Sequence, residues 1–68
     1  MKTKQEILDY LNWRKEYYQN NILRYNEILA HLKFNSNDYL MYDFLRRETK
    51  GDLNVINDIL DFINGKDE

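Results

Sequence analysis

The stretch TKQEILDYLNWRKEYYQNNILRYNEILAHLK, residues 3–33, decides the fold of this chain. Apolar side chains recur in it three and four residues apart, which is the spacing of one face of an α-helix. The pattern predicts a single unbroken helix about 45 Å long, because each helical residue adds about 1.5 Å. Such a helix takes up nearly half of the 68 residues. We therefore expect the rest of the chain to fold back along it.

Capping signals mark both ends of this first helix. The Thr3 hydroxyl is placed to accept a hydrogen bond from the amide of Glu6, whose carboxylate reaches back toward Thr3 in a capping box. The sequence NSND at residues 35–38 follows the helix. Its short polar side chains bond to nearby backbone groups and favour a turn.

Two shorter helices are predicted after the turn, over about residues 38–50 and 53–64. Ser36 or Asn37 caps the first of them, Gly51 suits the left-handed position that ends it, and Asp52 caps the next. A single helix kinked near Gly51 is the alternative, because a glycine inside a helix costs only about 1 kcal/mol.

These elements predict an all-α fold in a single domain over residues 1–68. It is a small helical hairpin or three-helix bundle, in which two shorter helices pack antiparallel to one long N-terminal helix. Charge favours this arrangement: residues 1–34 carry six lysines and arginines against four acidic residues, whereas residues 35–68 carry four against eight. Antiparallel packing brings these opposite charges together.

The buried row predicted for the first helix is a heptad seam. Its members are Leu8, Leu11, Lys15, Tyr18, Ile22, Tyr25, Leu29 and Leu32. Further apolar residues widen this sector beyond what one neighbouring helix covers; they are Ile7, Tyr10, Trp13, Tyr17 and Ile28. Among them Tyr10, Trp13 and Tyr17 combine apolar bodies with polar tips, as interface residues often do. We predict that these three form a protein interface.

The two shorter helices each have an apolar side as well. In the second, the predicted buried residues are Leu40, Met41, Phe44 and Leu45, with Tyr39, Tyr42 and Arg46 turned toward another side. In the third, they are Leu53, Ile56, Ile59, Leu60 and Ile63, widened by Val55 and Phe62.

The sequence predicts no catalytic, cofactor-binding or metal-binding residue. It contains no cysteine, and its one histidine is His31. The hydroxyl side chains besides tyrosine are Thr3, Ser36 and Thr49, and with this single histidine they form no recognisable catalytic triad. Glu27 lies four residues before His31, a spacing that permits a salt bridge but supplies too few ligands for a metal site. We predict that the protein is not an enzyme.

The one basic cluster consists of Arg46, Arg47 and Lys50. Such a cluster favours the C-terminus of a helix, and it is also a candidate contact for an anion or an acidic partner. A helix-turn-helix reading is disfavoured, because the supposed reading helix exposes Asp52, Asp58 and Asp61, which repel phosphates. The net charge of −2 likewise disfavours nucleic acid as a partner.

The predicted function is that of a non-enzymatic protein–protein interaction module, a regulator, inhibitor or adaptor. Its expected partner is another protein or a second copy of itself, as a coiled-coil-like homodimer. The alternative is a transcriptional or nucleic-acid accessory protein that uses the basic cluster. The chain has no long apolar run and starts with polar residues, so we predict a cytoplasmic protein with no membrane partner. Its richness in Asn, Lys, Ile and Tyr suits a low-GC bacterium or its phage.

Overall fold

The computed structural model describes residues 2–65, which form two α-helices joined by a short connection. Helix α1 spans Lys4–Ala30 and helix α2 spans Asn37–Asn64. The two pack against each other along their lengths as a helical hairpin. The predicted all-α hairpin is thus confirmed, whereas the three-helix bundle with two shorter helices is wrong.

The predicted break at Gly51 is absent, and α2 continues through it. Among residues 2–65 only Asn35 and Gly65 have positive φ, so Gly51 does not end a helix and Asp52 does not begin one. The reason lies in the spacing of the residues around the glycine. Thr49, Leu53 and Ile56 keep the helical period across it, and all three are at least half-buried. Continued packing on α1 outweighs the small cost of a helical glycine.

Replacing Gly51 with alanine should raise the free energy of unfolding by about 1 kcal/mol, because alanine is the better helix former. A Cβ at this position meets no atom within 4 Å. The measurement is urea denaturation followed by circular dichroism. Gly65 is the matched control, since it ends α2 with φ 72° and alanine there is strained. A loss of stability in Gly51→Ala would contradict the continuous helix.

The caps follow the sequence prediction more closely than the helix ends do. The amide of Glu6 donates to the Thr3 hydroxyl at 3.2 Å, and the amide of Tyr39 donates to the Ser36 hydroxyl at 3.2 Å. Helix α1 ends at Ala30, three residues before the predicted end at Lys33. The connection then turns through Asn35, which has φ 63°, a conformation that asparagine adopts more readily than most residues.

The core between the helices is narrow. Within the described range its buried apolar side chains are Leu11, Leu29 and Leu60. The seam predicted for α1 is confirmed, because its other members are half-buried against α2.

The buried side predicted for the first part of α2 is wrong except at Leu45, which is half-buried. Leu40, Met41 and Phe44 are exposed, whereas Tyr42 and Arg46 are half-buried. Because α2 is one helix, the large apolar residues after Gly51 fix which side of the whole helix faces α1. That side carries the residues that repeat with the helical period from Leu60. The apolar cluster of Leu40, Met41 and Phe44 lies outside it.

Candidate protein-binding face

An exposed aromatic ridge runs along α1. It consists of Tyr10, Trp13 and Tyr17, which are 52%, 57% and 49% exposed. The ring centroids of Tyr10 and Trp13 lie 6.3 Å apart, and those of Trp13 and Tyr17 lie 5.8 Å apart with the planes only 14° from parallel. The three rings therefore pack against one another in a row along two turns of the helix. The structure brings together the three residues that the sequence predicts as an interface.

Helix α2 has its own exposed apolar row, which we call the outer stripe. Its members are Leu40, Met41, Phe44, Val55, Ile59 and Phe62, each between 39% and 77% exposed. Sequence reasoning assigned these residues to the core. The signal that could have found the stripe is its own spacing of three and four residues, which continues through Glu48 and Gly51 to form a second seam on the same helix.

The aromatic ridge and the outer stripe both turn away from the packed interface between the helices. At about 100° per residue, the aromatic ridge is displaced by roughly a third of a turn from the row that α1 buries, and the outer stripe by roughly two fifths of a turn, in the same rotational sense, from the row that α2 buries. A local two-fold axis perpendicular to their common plane relates two antiparallel helices, and this axis maps each face onto itself. Displacements in the same sense turn both rows toward one side of the hairpin, the ridge more fully than the stripe, and we call the two rows together the apolar face.

A hydrogen bond across the hairpin marks the opposite face. Arg46 Nη1 donates to Asn26 Oδ1 at 2.9 Å, and both residues are displaced from the buried rows in the other sense. The rings of Tyr25 and Tyr42 also meet across the hairpin, with their centroids 6.2 Å apart.

The predicted basic cluster lies in the middle of α2, not at a helix end. The Asp43 carboxylate accepts from Arg46 Nη2 at 2.6 Å and from Arg47 Nη2 at 3.1 Å. Arg46 is half-buried between the helices, while Arg47 and Lys50 are exposed. One carboxylate thus offsets two of the three positive charges, and Arg46 serves the packing of the hairpin. Both of these ion pairs lie within α2, so neither of them joins the two halves of the chain.

Arg14 connects the aromatic ridge to the core. Its guanidinium lies 4.9 Å from the centroid of the Tyr18 ring and donates a hydrogen bond to the Tyr18 hydroxyl. This hydrogen bond raises the pKa of Arg14 above its usual value, so the side chain stays charged. The Tyr18 ring also lies 5.9 Å from that of Tyr17. The contact between Arg14 and Tyr18 therefore orients the Tyr17 end of the aromatic ridge.

Other surface features of the described hairpin give weaker indications of a function. An open depression on α1 is lined by Asp9, Asn12, Trp13, Lys15, Glu16 and Gln19. Its walls are polar apart from the indole, and its charges are of both signs. His31 caps the end of α1 and is exposed, as is Glu27. Residues 2–65 contain no group of three acidic, histidine or cysteine side chains placed to hold a metal ion. Neither described helix is apolar over enough of its length to cross a membrane.

Comparison of the chain with protein-family models, with curated proteins and with solved structures gives no match. The case for a function therefore depends on the geometry of the hairpin itself.

Proposed function

We propose that this protein is a non-enzymatic interaction module, a small helical regulator, inhibitor or adaptor that binds another protein or a second copy of itself through the apolar face of its hairpin. One observation carries the proposal. Twelve large apolar side chains are exposed in the described part of the chain, nine of them in the aromatic ridge and the outer stripe, against three that are buried. Exposed apolar residues scattered singly are normal, but a contiguous patch on one face is typical of a binding surface.

The composition of the apolar face suits a protein partner. Tyr, Trp, Phe and Met are the residues enriched at the centres of protein interfaces, and all four types occur in the aromatic ridge and the outer stripe. A helix that lies on a lipid surface instead has a polar face rich in lysine and arginine. Here the polar side of α1 carries Asp9 and Glu16, and the net charge is −2.

The basic cluster supports no second function. Arg46 and Arg47 both bind Asp43, which lowers the positive potential available to an anion or a nucleic acid. No other feature of the described hairpin favours the nucleic-acid alternative.

Site-specific photo-crosslinking tests the proposed function. Tyr17 on the apolar face is replaced by p-benzoylphenylalanine, and Leu23, which is 62% exposed on the other side of α1, is replaced in the same way as the control. Illumination in the cells that make this protein should give crosslinked products from position 17 and far fewer from position 23. The products identify the partner by mass. Equal yields from the two positions, or none from position 17, would contradict the proposal.

A further inference from the structure

We propose that the occupant of the aromatic ridge is a second copy of this chain, and that the α1 helices of the two copies pack against each other in antiparallel directions. This inference rests on the proposed function, because it names the partner for one part of the apolar face. The observations that support it are the spacing, the ring packing and the charges of exposed residues on α1 itself.

The aromatic ridge belongs to a longer exposed row on α1. The residues of this row follow one another alternately four and three positions apart, which is the spacing of a heptad seam. All of them are exposed; in chain order they are Glu6, Tyr10, Trp13, Tyr17, Asn20 and Arg24. Helix α1 therefore has two seams, of which α2 covers one and the described chain leaves the other exposed.

This row has an acidic residue at one end and a basic residue at the other. Glu6 and Arg24 are eighteen positions apart, which is about five full turns of helix, so they project in the same direction from α1. The Glu6 carboxylate accepts a hydrogen bond from the Thr3 hydroxyl at 3.3 Å. Within residues 2–65 neither Glu6 nor Arg24 takes part in an ion pair. Both charges are therefore available to a partner.

A two-fold axis perpendicular to α1 makes the row complementary to itself. When this axis passes midway between Trp13 and Tyr17, it also lies midway between Glu6 and Arg24. Trp13 of one copy then meets Tyr17 of the other, and Glu6 meets Arg24, each twice per dimer. Trp13 and Tyr17 already stack within one chain with their planes 14° apart. The two copies therefore bring four rings together at the centre of the contact.

Charge selects this arrangement over its alternatives. Parallel packing of two α1 helices would set Glu6 beside Glu6 and Arg24 beside Arg24, so like charges would repel at both ends. An antiparallel alignment shifted by one heptad in either direction separates Glu6 from Arg24 by about two turns of helix. Asp9 and Glu16 flank the row at the polar rim of the contact, where solvent screens their charges. The contact uses one helix of each copy, so we expect a small interface and a dimer that dissociates on dilution.

A charge-swap experiment tests the pairing. Glu6→Lys alone and Arg24→Glu alone each place like charges opposite each other twice, so the dimer dissociation constant should rise about tenfold or more. Mixing these two variants should restore association, because the mixed dimer has both pairs complementary, whereas any loss of the helix cap at Glu6 would persist in the mixture. The double variant should likewise self-associate nearly as well as the parent. Sedimentation equilibrium measures all four, with circular dichroism to verify equal helix content.

The control is Glu48→Lys, the same charge reversal at an exposed residue of α2 that takes part in no ion pair within residues 2–65. It should leave the dissociation constant unchanged within about twofold. Weakening by the single variants without recovery in the mixture would overturn the pairing of Glu6 with Arg24. A parent chain that is monomeric at every concentration would overturn the dimer. Crosslinks from position 17 to a different protein would then still support the proposed function, so the two proposals fail separately.

Discussion

Replacing Leu29 with alanine should lower the free energy of unfolding by about 2 to 5 kcal/mol, the usual cost of deleting a buried leucine side chain. Leu29 is only 6% exposed and is one of three buried apolar residues in the described hairpin. A domain of this length has a total stability of roughly 3 to 10 kcal/mol. We therefore expect a large fraction of the variant to be unfolded at 37 °C, as measured by thermal and urea denaturation.

Leu23→Ala is the matched control for this prediction. It removes the same atoms from the same helix, but Leu23 is 62% exposed and away from α2. The loss there should be about 0.5 kcal/mol or less. Similar losses at positions 23 and 29 would mean that α1 does not bury the predicted seam against α2.

Replacing Trp13 with alanine should weaken self-association without unfolding the hairpin. Trp13 is 57% exposed, so truncation removes little intramolecular packing apart from its ring contacts with Tyr10 and Tyr17. A buried tryptophan at the centre of an interface contributes about 2 kcal/mol or more. The dimer dissociation constant should therefore rise roughly 30-fold or more, as measured by sedimentation or by light scattering.

Trp13→Phe is the control here, because phenylalanine keeps an apolar ring beside Tyr17. It should lose much less affinity than alanine does. Unchanged association in Trp13→Ala would show that the aromatic ridge is not at the interface, whatever the oligomeric state.

The sequence predicted α1 well because its signals are local and agree with one another. Its heptad seam, the Thr3 cap and the NSND turn all indicate the same helix, and the structure differs only in ending it at Ala30. The antiparallel return of the chain followed from the length of this helix, the turn at residues 35–38 and the opposite charges of the two halves. These features depend on spacing and capping, which residue order shows directly.

The errors concern α2, where a local preference competes with long-range packing. Glycine often ends a helix, yet whether it does so depends on how much packing the following residues gain if the helix continues. Here Leu53 and Leu60 reach α1 only if the helix runs on. Phe44 lies outside the core for the same reason, because its orientation is set by the packing of residues such as Leu60, sixteen positions away. Local propensity does not contain that information.

The binding face was only half visible from the sequence. Tyr10, Trp13 and Tyr17 were recognisable because they combine apolar rings with polar tips. The structure places their rings in one exposed row. The outer stripe did not stand out, because exposed and buried apolar residues on one helix look alike until the helix that covers one side is known. Only the packed hairpin shows that both the ridge and the stripe are left exposed.

The most direct test of the central claim is the absolute mass of the protein by light scattering over a wide range of concentrations. The chain has a mass of 8.4 kDa. We predict twice this mass at high concentration, a decline toward one chain on dilution, and a shift of that decline to higher concentration in Trp13→Ala. A mass of 8.4 kDa at every concentration, or a dimer indifferent to the loss of Trp13, would contradict the account.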